Sequence, residues 1–223
     1  MTFSLAGRCE KTGMLGGFVC SSSIAVASRC LWGSPHGIVL SQNVTDPRLG
    51  VLGTQLLAQG FGSASVLRQL VDARAHAQWR QLLVLDRDGG CAHHTGTRGL
   101  GTTAVAQGRL CIAAGNMLAS AEVPRAAARA FDDLTQAPLA KRLLAGLEAA
   151  LDAGGEAGPV HSAGLCIYGK EVWPLADLRV DWSDQPIADL RRLWMLYEPQ
   201  MQDYYMRALD PDQAPSYGVP GDP

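Results

Sequence analysis

Between Thr12 and Thr45 the chain carries a single charged residue, Arg29. Short apolar runs cross that stretch, at residues 17–20, 24–27 and 37–40, with Gly, Ser and Pro between them. Apolar runs of roughly four to eight residues bounded by breakers suit strands better than helices. These runs do not alternate with charged residues, so both faces of the strands have to be covered. That is the position of a sheet held between a second sheet and a layer of helices.

The rest of the chain agrees. A first strand is expected over residues 2–7, a turn at Glu10-Lys11-Thr12-Gly13, and a return strand over 15–21. Helical spacing appears over 47–59 and 63–76, the latter with Ser63 as its cap. A buried strand follows at 81–85, and Asp86-Arg87-Asp88-Gly89-Gly90 turns it into a partner over 91–97. Another strand is expected at 109–114, then helices over 122–134 and 138–153. Strands return at 162–168 and 176–180 before a last helix from Pro186, with Ile187, Leu190, Trp194 and Tyr197 on one side. The order predicts one α+β layered domain over residues 1–208, in which hairpins build antiparallel sheets and helices come in pairs. Residues 209–223, rich in Pro, Gly and Asp, are expected to be a surface tail.

Composition narrows the partners. The 19 Lys and Arg against 21 Asp and Glu form no basic run, which argues against nucleic acid and anionic membrane surfaces. No stretch approaches the ~18 consecutive apolar residues of a membrane span. Only 18% of the 223 residues are charged, so apolar surface needs cover. With the aromatic end at Trp194, Tyr197, Tyr204 and Tyr205, this predicts a homodimer. Six scattered cysteines form no C-x-x-C and read as reduced, packed side chains. Residues 14–27 end in an A-x-A-like sequence, but Gly16, Gly17 and Ser21 to Ser23 interrupt any leader helix. The expected location is cytoplasmic.

The start of the chain carries the most chemistry. Met is normally trimmed before a residue as small as Thr, which would leave Thr2 with a free α-amine at the head of a buried strand. An N-terminal Thr holds its own base: the hydroxyl attacks, and the amine, with a pKa of about 7.7–8, takes the proton. Thr is equally a common second residue and a good strand former. The adjacent His93 and His94 would point to opposite faces of a strand and cannot chelate one ion together. Gly-x-Gly spacings such as Gly99-Leu100-Gly101 lack the rest of a dinucleotide fingerprint.

Several segments in order resemble one family. They are Thr2-Phe3-Ser4-Leu5-Ala6, Val19-Cys20-Ser21-Ser22, Asp46-Pro47-Arg48-Leu49-Gly50, His94-Thr95-Gly96, Gly115-Asn116-Met117-Leu118-Ala119 and Asp177-Leu178-Arg179-Val180-Asp181. Over residues 2 to about 195 the chain is similar to the "domain of unknown function 1028" family of the N-terminal nucleophile (Ntn) hydrolase superfamily. The resemblance implies a four-layer αββα sandwich. It implies Thr2 as nucleophile with its own amine as base, and Asn116 as an oxyanion or substrate-amide donor. Ser21, Ser22, Ser23, His94 and Thr95 become candidate substrate-binding residues. The implied reaction cleaves a small amide-like C–N bond through an acyl-enzyme, with a small-molecule amide as substrate and no metal or organic cofactor. The alternative is a non-catalytic protein of the same fold that binds a small molecule or a protein partner. Where the family commonly carries Asp-Arg-Arg-Gly and a Gln, this chain reads Gly155-Glu156-Ala157-Gly158-Pro159-Val160-His161, which removes a potential anion clamp. Ser41-Gln42 replaces the more usual Thr-Gln, and Leu49 stands where Tyr is usual.

Overall fold

A computed structural model describes residues 1–221; Asp222 and Pro223, the end of the expected tail, lie outside the described residues. The elements in order are β1 (Thr2–Arg8), β2 (Leu15–Ser21), α1 (Val26–Cys30), β3 (Leu31–Ser34), β4 (Gly37–Asn43), α2 (Pro47–Ala58), α3 (Ser63–Asp72), β5 (Arg80–Asp86), β6 (Cys91–Thr95), β7 (Ala104–Gln107), β8 (Cys111–Asn116), α4 (Glu122–Asp133), α5 (Leu139–Asp152), β9 (Ser162–Tyr168), β10 (Pro174–Val180) and α6 (Pro186–Leu209). They form two antiparallel sheets, one ordered β10-β9-β2-β1-β8-β7 and the other β3-β4-β5-β6.

Three apolar clusters define four layers. Phe3, Leu5, Phe18, Ala113 and Leu165 on the six-stranded sheet pack under α4, α5 and α6, through residues such as Phe131, Leu143, Leu147 and Leu190. Ala6, Val19, Ile38, Leu40, Leu83, Leu85 and Ile112 fill the space between the sheets. Val39, Leu82 and Val84 pack on α2 and α3 through Leu49, Leu57, Val66 and Leu70. Each inner strand therefore sends alternate residues into two different cores, which is why it carries apolar residues on both faces. The αββα sandwich expected from the sequence is the fold observed.

Local departures have physical causes. Residues 24–27, expected as a strand, instead lead into the short helix α1. Ala25 adopts a left-handed φ of 53°, and the Val26 N–H is taken by Ser162 Oγ at 3.2 Å rather than by a ladder partner. Ser63 is the first residue of α3, not its cap; its N–H donates to the Asp86 carboxylate at 2.8 Å. The strand expected at 109–114 is shifted to Cys111–Asn116, and the short strands β3 and β7 had no separate signal. Trp194, expected in an exposed aromatic end, is buried, and the exposed apolar residues of α6 include Met195 and Leu196. All six cysteines are free. Cys20, Cys111 and Cys166 sit inside the cores, and burial pushes the Cys166 thiol up to about 12.

Packing of α2 on its sheet leaves no room at Gly50. A Cβ there would stand 1.9 Å from the Trp32 ring. Gly50→Ala is expected to destabilise the protein by about 1–3 kcal/mol, in spite of the better helix propensity of Ala, read as a lower denaturation midpoint at unchanged slope.

Candidate active site

Strand alternation decides which side chains meet. On β1, Phe3 and Leu5 belong to the core under the helices, whereas Ala6 belongs to the core between the sheets. Thr2 and Ser4 share the face of Ala6, Ser21 shares that of Val19, and Asn116 shares that of Ile112 and Ala114. Thr2 stands opposite Asn116 in the β1–β8 ladder, and Phe3 stands opposite Cys20 in the β1–β2 ladder, which brings Ser21 beside Thr2. The start of β1 and the ends of β2 and β8 thus coincide at one end of the sandwich.

Thr2 is 4% exposed and lies beneath Met1. Its hydroxyl donates to the Met1 carbonyl oxygen, and the Ser21 hydroxyl donates to the same oxygen. Ser21 Oγ also lies 2.9 Å from Ser23 Oγ and accepts the Ser23 N–H at 3.1 Å. The Ser22 N–H donates to both carboxylate oxygens of Glu156 at 3.1 Å. Glu156 is on the loop after α5, which the Ala119 N–H to Gly155 and the Ala157 N–H to Met117 bonds tie to the end of β8. Burial raises the Glu156 carboxyl above the usual carboxylate range, opposed by its hydrogen bond from Ser22 and by the nearby amino group of Met1.

Behind these groups the sheets are joined by buried amides. Ser4 Oγ donates to Gln42 Oε1 at 2.8 Å, and Gln42 Nε2 donates to Gln81 Oε1 at 2.8 Å. Gln81 Nε2 donates to the Gly115 carbonyl at 3.0 Å and to Thr95 Oγ1 at 3.2 Å. Asn116 Nδ2 donates to Gln81 Oε1 at 3.2 Å, while its own Oδ1 is buried without a partner. Among the described residues, two of the four non-glycine residues with positive φ immediately follow parts of this site, Asn43 after Gln42 and Met117 after Asn116, and a third, Ala25, comes two residues after Ser23. Such conformations cost of order 1–3 kcal/mol each and gather where a site is held in a defined shape.

Of the residues expected from the sequence, Asn116 stands opposite Thr2 and Ser21 bonds the same Met1 carbonyl oxygen, whereas Ser23 reaches this group through Ser21 and Ser22 contacts Glu156. Thr95 reaches the same network through Gln81. His94 does not: it lies on the other face of β6, opposite Leu82, with its Nε2 3.0 Å from the Ala77 carbonyl oxygen. Asn116 enters with one amide N–H already committed to Gln81, leaving the second for another acceptor. Sequence reasoning missed Glu156, Gln42 and Gln81. The one available signal for Glu156 was its standing as the sole charged residue in the Gly-rich stretch 153–160. Among the described residues, no group of three or more His, Cys, Asp or Glu is placed to hold a metal ion. No described helix is long and apolar enough to cross a membrane.

Comparison with known proteins gives a family and a close structural relative. The model of a family of unknown function, DUF1028, matches residues 2–190. A crystal structure of a DUF1028 protein from Silicibacter pomeroyi is 28% identical over 88% of each chain, with a TM-score of 0.81. More distant matches include Anbu (ancestral beta-subunit) from Yersinia bercovieri, at 12% identity over 92% of this chain and 97% of that one, TM-score 0.39. A Gly-1 mutant of Anbu from Hyphomicrobium sp. strain MC1 is 14% identical over 92% and 99%, TM-score 0.45. No curated protein matches the chain.

Removing the hub of the amide network strands several buried groups at once. Gln81→Leu leaves the Gln42 and Asn116 amides and the Gly115 carbonyl without their partner, and the expected loss is at least about 3 kcal/mol by chemical denaturation.

Proposed function

The chain belongs to the DUF1028 family, and from that premise we propose that it is an N-terminal-nucleophile amidohydrolase acting on a small amide through Thr2. The observation that carries the reading is the convergence of the Thr2 and Ser21 hydroxyls on one carbonyl oxygen, that of Met1. The two hydroxyls thus lie side by side at the head of β1, one placed to serve as nucleophile and the other as donor.

In this mechanism Met1 is first removed, which frees the Thr2 amine. Thr2 Oγ1 then attacks the substrate carbonyl carbon and its proton passes to the amine. The second Asn116 N–H, the Ser21 hydroxyl and backbone N–H groups hold the developing oxyanion. The amine gives the proton to the departing nitrogen, the C–N bond breaks, and water hydrolyses the ester left on Thr2. Ser22 and Ser23 frame the site, Ser22 through its N–H to Glu156 and Ser23 through Ser21 and the Arg29 guanidinium at 3.0 Å. No step calls for a metal or an organic cofactor. The apolar exposure of Met195 and Leu196 supports a homodimer, and a cytoplasmic location remains part of the reading.

The rival, a non-catalytic binding protein of the same fold, draws on Met1 itself. While Met1 is attached, the Thr2 nitrogen is an amide and is no base.

The two readings separate by activity. Met1-free protein is expected to hydrolyse small amides, with Thr2→Ser retaining part of the rate and Thr2→Ala losing at least about a thousandfold in kcat/KM. Protein that keeps Met1 is expected to be inactive. Undiminished turnover by Thr2→Ala would remove Thr2 from the mechanism.

A further inference from the structure

One buried acceptor at the Thr2 end has no donor. Among the described residues, Asn116 Oδ1 is the one buried side-chain oxygen without a hydrogen-bond partner, and the whole residue is buried. Its orientation follows from the network behind it. The Gly115 carbonyl can only accept, so Gln81 turns Nε2 to it at 3.0 Å and leaves Oε1 to face Gln42 and Asn116. An oxygen in that place needs a donor from each neighbour, and Asn116 supplies Nδ2 at 3.2 Å. The Asn116 oxygen is thereby held off the network, and a buried acceptor without a donor is destabilising.

The Thr2 nitrogen lies on the side of that residue. The Arg8 N–H donates to the Leu110 carbonyl at 2.9 Å, and alternate residues of an antiparallel strand turn their N–H groups to the same neighbour. Counting back in twos from Arg8, Thr2 also turns its N–H to β8, where its ladder partner is Asn116. Their side chains share a face, and such opposed pairs stand about 4.5–5.5 Å apart at Cβ. While Met1 is attached, the Thr2 nitrogen is an amide with a single hydrogen. Removal of Met1 adds one more hydrogen to the neutral amine and two more to the ammonium.

We infer that Asn116 Oδ1 is the acceptor for the α-amine that removal of Met1 creates, and that Asn116 positions this amine as the base. The bond itself stands without any reaction; its use in catalysis rests on Thr2 as the nucleophile proposed above. The neutral amine has two hydrogens and one lone pair. The ladder carbonyl of Asn116 takes one hydrogen and Oδ1 takes the other. The lone pair is then turned away from β8 and left for the proton of Thr2 Oγ1. Asn116 acts through the amine and is a positioning residue, while its second Nδ2 hydrogen stays available to the oxyanion. The site is complete only in the processed chain, because the donor that Oδ1 lacks does not exist before Met1 leaves.

The test titrates the Thr2 amine of Met1-free protein by NMR, with the threonine nitrogens labelled. Charged groups bonded at this end are Glu156 to the Ser22 N–H, Arg29 to Ser23 Oγ and Arg80 to the Val44 carbonyl, and all three remain in every variant. A hydrogen bond to the charged form of a group favours that form. Asn116→Leu is therefore expected to lower the amine pKa by at least about one pH unit, the scale of one hydrogen bond to a charged group. Asn116→Asp keeps an acceptor, makes it a carboxylate and is expected to raise the pKa. Mere loosening of the site would move both variants the same way. An unchanged pKa in Asn116→Leu, or shifts of one sign in both, overturns the inference. If Asn116→Leu does not fold, a rise in Asn116→Asp supports the bond and its absence overturns it. Opposite shifts without amide hydrolysis by the Met1-free wild type would support the bond and remove the catalytic role of Thr2. Hydrolysis by that protein, with an amine pKa indifferent to Asn116→Leu, would overturn the bond and leave Thr2 as the nucleophile.

Discussion

Everything at the Thr2 end of the sandwich depends on one buried chain of amides, from Ser4 through Gln42 and Gln81 to Asn116. Elsewhere the sheets meet through Ala, Val, Ile and Leu, which resist sliding only by shape. Amides are different, because each buried donor and acceptor needs a partner at the right distance and angle. A shift of one sheet along the other would break several of these bonds together. The chain thus acts as a registration mark between the sheets. It also supports Asn116, the residue directly opposite Thr2.

The same end combines groups that are individually unfavourable. Glu156 is a carboxylate in a buried place, Asn116 Oδ1 has no partner, and Ala25, Asn43 and Met117 sit at positive φ. A protein selected for stability alone would have little reason to gather them. Burial of Glu156 is tolerable because the Ser22 N–H donates to both of its carboxylate oxygens. Met117 is held by its N–H to the Leu100 carbonyl at 2.8 Å, and Asn43 by side-chain bonds to Leu100 and Trp79. The strain is thereby distributed over loops anchored to rigid strand ends.

The layered fold was legible because its cause is local. Strands with two buried faces carry apolar residues at successive positions, and residues 15–20 and 37–40 declare that without any tertiary knowledge. The helices over 122–134 and 138–153 declared themselves through periodicity. What stayed hidden depended on distant partners. The run at 24–27 is as apolar as a strand, but Ser162, far along the chain, takes the Val26 N–H. Gln42 and Gln81 look like ordinary polar residues at strand ends until the sheets are stacked. The divergence at 155–161 read as the loss of arginines, whereas it supplies the carboxylate that faces Ser22. His94 shows the opposite error: similarity to a family segment said nothing about which face of β6 it occupies.

The sheet order also has a consequence for how the protein is made. β1 and β2 leave the ribosome first, yet β1 lies between β2 and β8, and β2 lies between β1 and β9. Until residues 111–116 and 162–168 have been synthesised, the hairpin of β1 and β2 lacks the strand that pairs with each of its edges. Such long-range pairing is slow, and open edges meanwhile invite association with other chains. The head of β1 is then less covered than in the finished fold, which buries Thr2 almost completely. Access to Thr2 is therefore an early and passing condition of synthesis, ended when the last strands close the sheet around the first.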